Sequence, residues 1–403
     1  MSNTVLSFRF AACSFSLSSV LTAALPVVLH GQGASAAGAG NGVTPGATTR
    51  AALAAAYLRL DKVVANATLD DSTKANVSRA FDGTTLNFFA GKLATALKTM
   101  DSITVAVSGK PIAPPAPLPT RLVKGKAPSV ARDAFLARLS KLDSTGALAQ
   151  PIVSARARAS LLVDVANAER SAEFLAEPAR LAVDVEREVS ALERGKNPYA
   201  KYAGDMWRSF RGAKGTVVPY RIVASASVAN AKTPVPLVFV LHGAGADENA
   251  FIDAYSSGLA AKMANERGVL LVSPATIAFA AAPENVDTLL AQLRTEYNVD
   301  ITRVYVLGHS MGANASARLA QAKPNVFAAA VSLAGGSPVT VTGAPPVLFV
   351  GAELDPLIPA KNVKMAADAT PTGTYQLLPH QGHTLMVGDG LRLAFPWMLE
   401  RRK

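Results

Sequence analysis

The chain has 403 residues, half of them apolar, which is enough for a sizeable core and suggests more than one folding region. Its formal charge of +11 and pI near 9.8 invite a nucleic-acid reading. However, the excess of Lys and Arg is spread along the chain, and the one dense basic patch, 110–126, surrounds prolines without interleaved aromatics; it reads as a solvated linker, and nucleic acid is excluded as a partner. Cys13 is the only cysteine, so disulfides, thiol catalysis and cysteine-ligated metals are excluded from a chain that begins after it.

The opening carries Arg9, an apolar run densest over 20–29, and Ala34-Ser35-Ala36. These are the three parts of a secretory signal, and the expected cut follows Ala36. The run is interrupted by serines and Pro26 and is short for a bilayer span, so export is favoured over a retained anchor. A Gly/Ala/Thr tether follows over 37–50. The segment 51–200 reads as an all-helical accessory domain: helices are predicted over 51–65, 86–100, 132–142, 154–175 and 178–194. The last has Leu181, Val185, Val189 and Leu192 on one face, Pro178 in its first turn, and Gly195 and Pro198 beyond its end. With no histidine or cysteine here, acid-base and metal chemistry is not expected of this half.

From residue 201 onward the pattern changes. Segments 207–211 and 217–224 read as paired strands. Apolar runs at 237–241, 269–273, 304–307, 328–333, 347–350 and 375–378 then alternate with helical segments, which implies a mostly parallel sheet covered on both faces. Ligands of such sheets sit outside the carboxyl ends of the strands. At one such end lies Gly308-His309-Ser310-Met311-Gly312, a Gly-x-Ser-x-Gly between a strand and an alanine-rich helix. This is the context of a nucleophile elbow, with glycines where side chains would collide with the neighbouring strand and helix. His242-Gly243-Ala244-Gly245 ends an earlier strand, and the N–H groups of Ala244 and Met311 are candidate oxyanion donors.

Four histidines lie beyond the signal, all in these strand-end loops: His242, His309, His380 and His383. The first two read as structural. His383 is preferred over His380 as the base, because a glycine precedes it and a new helical segment follows. Asp355 is preferred over Glu353 as the carboxylate that fixes the base's tautomer.

The order Ser310, Asp355, His383, with the His-Gly loop upstream, resembles the α/β-hydrolase superfamily. Residues 204–403 are similar to secreted esterases of the feruloyl esterase, polyhydroxybutyrate depolymerase and dienelactone-hydrolase-like groups. The resemblance implies an α/β-hydrolase fold over 201–403 and a serine carboxylic-ester hydrolase with no metal or organic cofactor, acting on a small-molecule or polymer ester; the positive charge leaves room for association with the cell envelope. Ala244 stands where depolymerase-type members often carry cysteine. The short stretch from Leu333 to Pro345 has no room for an inserted cap, so the site is expected to be open unless the helical half covers it. Phe251, Tyr255, Ile277, Phe279 and Leu357 are expected pocket liners. An oligopeptidase-type peptidase shares the machinery, and a non-catalytic surface-binding protein shares the fold.

Overall fold

A computed structural model describes residues 48–113, 122–164 and 177–403, and Thr48–Lys403 cluster as one compact unit. The signal-like segment, most of the tether, the centre of the proline-rich patch and the second half of the predicted helix 154–175 lie outside the described residues. Among the described residues no helix is long and apolar enough to cross a membrane.

Among the described residues six helices come first: α1 (Arg50–Asn66), α2 (Asp71–Phe89), α3 (Leu93–Ser108), α4 (Pro128–Leu139), α5 (Ala149–Ala159) and α6 (Pro178–Glu193). Capping explains several ends. The Thr49 and Asp70 side chains accept from the N–H groups of Ala52 and Thr73, and the Gly195 N–H closes α6 on the Leu192 carbonyl. The expected helix 86–100 is corrected: it straddles the break between α2 and α3, where Gly91 has φ +73°. Helix α2 was missed because its Ser, Thr and Gly83 weaken helix propensity, and tertiary packing overrides that weakness. Helices α1 to α3 share a core of Leu53, Leu60, Val77, Phe81, Ala96, Met100 and Ile103; Phe135, Leu139, Ile152, Leu181, Val185 and Val189 build another from α4 to α6, into which Trp207 packs.

The sheet contains β1 (Gly204–Arg211), β2 (Val217–Ala224), β3 (Val235–Leu241), β4 (Leu270–Pro274), β5 (Val299–His309), β6 (Ala329–Leu333), β7 (Val347–Ala352) and β8 (Gly373–Leu378). Their spatial order is β1-β2-β4-β3-β5-β6-β7-β8. The first two pairings are antiparallel and the remainder parallel. The helices that cover it are α7 (Tyr255–Arg267), α8 (Glu284–Glu296), α9 (Met311–Ala322), α10 (Ala360–Asp368) and α11 (Val387–Leu399). Period-two alternation sends Leu237, Phe239 and Leu241 to the core shared with α8, α9 and α10, and Val238 and Val240 to the core shared with α7 and α11. Burial on both faces is why these strands read as continuous apolar runs.

An ion pair lies inside the sheet's flank. Arg208 of β1 meets Glu296 of α8 through two hydrogen bonds of 2.6 and 2.7 Å, with both side chains fully buried and Tyr199 stacked 3.9 Å from the guanidinium. Two parallel charge-assisted bonds and the aromatic face compensate the loss of water.

Candidate active site

Strand β5 delivers Ser310 to the carboxyl edge of the sheet. The serine has φ 56° and ψ −116°, a sparsely populated backbone state for a residue with a side chain. The flanking glycines make that state reachable. A Cβ on Gly308 would overlap the Gly312 carbonyl, and one on Gly312 would overlap the Leu241 carbonyl at the end of β3. The Ser310 N–H donates to the Leu333 carbonyl at 2.8 Å, tying the elbow to β6.

Ser310, Asp355 and His383 come together in one hydrogen-bonded chain. The Asp355 Oδ2 lies 2.7 Å from His383 Nδ1, while its Oδ1 accepts from the backbone of Leu357 and Ile358 at 2.8 and 2.9 Å. Both carboxylate oxygens are thereby engaged and their orientation is fixed. A carboxylate only accepts, so Nδ1 carries the proton and the Nε2 lone pair faces the Ser310 hydroxyl, 2.8 Å away. Asp355 and His383 are buried, whereas Ser310 is half-buried and reachable. His380 and Glu353 lie outside this chain: His380 is exposed, and the Glu353 carboxylate accepts from its backbone.

The two candidate oxyanion donors flank the serine. Met311 opens α9, so its N–H has no carbonyl one turn back within the helix. The loop carrying Ala244 lies against the elbow: a Cβ built on Gly243 would sit 3.3 Å from the Ser310 Cβ.

The remaining histidines brace loops. Thr276 N–H donates to His242 Nε2 at 3.0 Å, which leaves Nδ1 to donate to the Gly243 carbonyl at 2.9 Å. His309 donates from Nε2 to the His383 carbonyl at 2.9 Å, so its Nδ1 accepts from the Tyr255 hydroxyl at 3.0 Å. Burial, followed by the neighbouring His383, lowers the pKa of His309 to about 3 and keeps it neutral.

Of the expected pocket liners, Phe251 and Phe279 are corrected to core residues: Phe251 packs on Tyr255, and Phe279 on Phe210 and Phe239. Tyr255 is also buried, and its hydroxyl serves His309. Ile277 and Leu357 are half-buried.

The helical half takes part in the site, which its sequence did not announce. Arg50 donates to the Gly245 carbonyl at 2.9 Å, and Phe88 lies so close that a Cβ on Gly245 would be 2.7 Å from its ring. Asp61 of α1 accepts from the backbone N–H groups of Ser256 (2.8 Å) and Ser257. These belong to a left-handed turn in which Tyr255, Ser256, Ser257 and Gly258 all have positive φ. Asp82 of α2 accepts from the His383 N–H through both oxygens, at 3.1 and 2.9 Å. Burial raises the pKa of Asp82 to about 6; the backbone donor and charge of His383 oppose the rise, and Asp355 adds to it. Burial likewise raises that of Asp61. The only signal in the sequence is an acid on an otherwise buried stripe: Asp82 follows Ala75 and Ser78 at helical spacing, and Asp61 follows Leu53 and Ala56.

No protein-family model matches the chain. A putative esterase, NocK, of Nocardia uniformis subsp. tsuyamanensis is 32% identical over 177 residues, which is 39% of this chain and 51% of the relative. The chain thus spans about half the length of the curated relative it matches. Among solved structures, a thermostable esterase matches 49% of this chain and 63% of its own at 21% identity and TM-score 0.41. The S-formylglutathione hydrolase of Staphylococcus aureus matches 50% of this chain and 98% of its own, at 16% identity and TM-score 0.41. A dienelactone hydrolase of Klebsiella pneumoniae, described as putative, matches 49% and 98%, at 18% identity and TM-score 0.38. With its sheet order, its strand–serine–helix elbow and helices on both faces, the chain is an α/β protein of the α/β-hydrolase fold.

Proposed function

We propose that the protein is an exported serine hydrolase that cleaves carboxylic esters through an acyl-enzyme on Ser310. The observation that carries this reading is the continuous hydrogen-bonded chain from Asp355 through His383 to a reachable Ser310 hydroxyl. As the Ser310 Oγ attacks the acyl carbon, His383 Nε2 takes its proton, and Asp355 stabilises the imidazolium. The N–H groups of Ala244 and Met311 receive the negative oxygen of the tetrahedral intermediate. His383 then returns the proton to the leaving alkoxide, and water repeats the sequence on the acyl-enzyme. Likeness to NocK, described as a putative esterase, over its matched half supports an ester as substrate. The charged start, apolar centre and Ala34-Ser35-Ala36 support export with a mature start at Ala37.

The test is labelling of the purified protein with a fluorophosphonate, beside Ser310→Ala, followed by turnover of acyl esters of increasing chain length. Labelling and turnover that vanish in the variant are expected. A folded native protein that neither labels nor hydrolyses any ester of the series would overturn the reading in favour of a binding role.

A further inference from the structure

The sequence assigns the helical half no chemistry, yet a carboxylate from it lies against the base. Asp82 is buried, comes from α2, and directs both oxygens at the His383 N–H rather than at a neighbouring cation. The fit is close: a Cβ on Gly382 would overlap Asp82 Oδ2, so glycine before the base gives the carboxylate its place against the loop. The other groups near it are accounted for. His383 favours its charged form, and Asp355 opposes it; the Thr384 N–H also favours it. Lys74, on the same helix, pairs instead with Asp389 of α11 at 2.6 Å, an acid that Gln381 and Arg392 also contact. His380 lies 3.7 Å from Asp71 and 3.8 Å from Glu353.

A buried carboxylate held against a backbone N–H, with no cation of its own, is a poor device for stability, because the charge is desolvated with little return. It is well suited to acting on an imidazole that becomes positive during the reaction. We propose that Asp82 is a positioning residue of this reaction: its ionised carboxylate fixes the His383 backbone, keeping the imidazole between Asp355 and Ser310, and adds a second negative charge that favours the transient imidazolium. The inference rests on the esterase reading. It makes the helical half part of the catalytic machinery, acting through His383 without touching substrate.

The test compares kcat/KM for a short-chain ester across pH 4.5–9 in the native protein, Asp82→Asn and Ser310→Ala. Asp82→Asn should keep native thermal stability or exceed it at pH 8, leave KM unchanged, and lower kcat by about ten- to hundredfold, the size of one nearby charge in a protein interior. The native-to-variant ratio should shrink below pH 6, as Asp82 takes up a proton in the native protein. The acid limb, to which proton uptake by Asp82 adds in the native protein alone, should fall from a slope of two towards one. A structural role alone would give a ratio independent of pH, and that result, or a variant as fast as the native protein at pH 8, overturns the proposal. If Asp82→Asn does not fold, the native profile decides: an acid limb of slope one overturns the inference, and slope two supports it. Failure of the esterase reading is recognised separately, as a native protein no faster than Ser310→Ala at every pH.

Discussion

Replacing Asp61 by alanine should loosen a loop that the aspartate does not belong to. Tyr255, Ser256 and Ser257 are non-glycine residues with φ of 34°, 61° and 60°. Left-handed backbone costs about 1–2 kcal/mol per such residue, so the turn holds about 3–6 kcal/mol of strain. Opposing it are two charge-assisted hydrogen bonds from the Ser256 and Ser257 N–H groups to Asp61, each contributing about 1.5–3 kcal/mol. Burying the carboxylate offsets part of that gain, as its raised pKa records. Asp61→Ala should therefore destabilise the protein by about 3 kcal/mol, measured by urea unfolding at pH 7. Ser257→Gly in that background should return about 1 kcal/mol, since glycine adopts the left-handed conformation without the Cβ clash. On the proposed function, the rate of ester hydrolysis should fall as well, because the Tyr255 hydroxyl at the start of the turn supports His309, and His309 holds the His383 carbonyl. A loss below about 0.5 kcal/mol, or no recovery from the glycine, would refute the account of strain held in place by a distant carboxylate.

Other outcomes follow from the same geometry. Because burial raises Asp82 from 3.8 to about 6, its contribution to stability is fully present below pH 4 and is lost as pH rises through 6; the change is about 3 kcal/mol, and urea titrations at pH 4 and 8 should show it disappear in Asp82→Asn. Gly312→Ala should prevent native folding or reduce stability by more than about 4 kcal/mol, seen as loss of soluble, cooperatively unfolding protein, because the added methyl meets the Leu241 backbone. Glu296→Gln should destabilise by about 3–5 kcal/mol in urea, since it leaves the Arg208 charge buried without its counter-ion, while fluorophosphonate labelling of the surviving folded fraction stays native.

The α/β half was legible because each of its signals is local. Apolar runs of strand length, the glycines on either side of Ser310 and the histidine following Gly382 all report chain geometry within a few residues. The helical half was legible only in part. The cap signals of α6 are local and read correctly, but α2 is rich in Ser, Thr and a central glycine, and it is helical because Val77 and Phe81 are buried against α1 and α3. Phe251 and Phe279 looked like pocket walls because a sequence does not tell which face of a loop turns inward. Asp61 and Asp82 left only a faint mark in the sequence, an acid on an otherwise buried stripe. An aspartate on a helix is usually solvated, and what distinguishes these two is a backbone donor some 195 and 301 residues away.

That last separation bears on when the protein becomes active, as well as on how it works. The first helices of a nascent chain are made long before the loop of His383, so Asp82 precedes the backbone donor it meets in the finished molecule. Closing contacts over such a distance is slow and follows local structure. The proposed hydrolytic centre is therefore completed only when the segments of Asp82 and His383 meet. On the proposed function, Ser310 stays unactivated until then, and catalysis would report that these distant segments have come together.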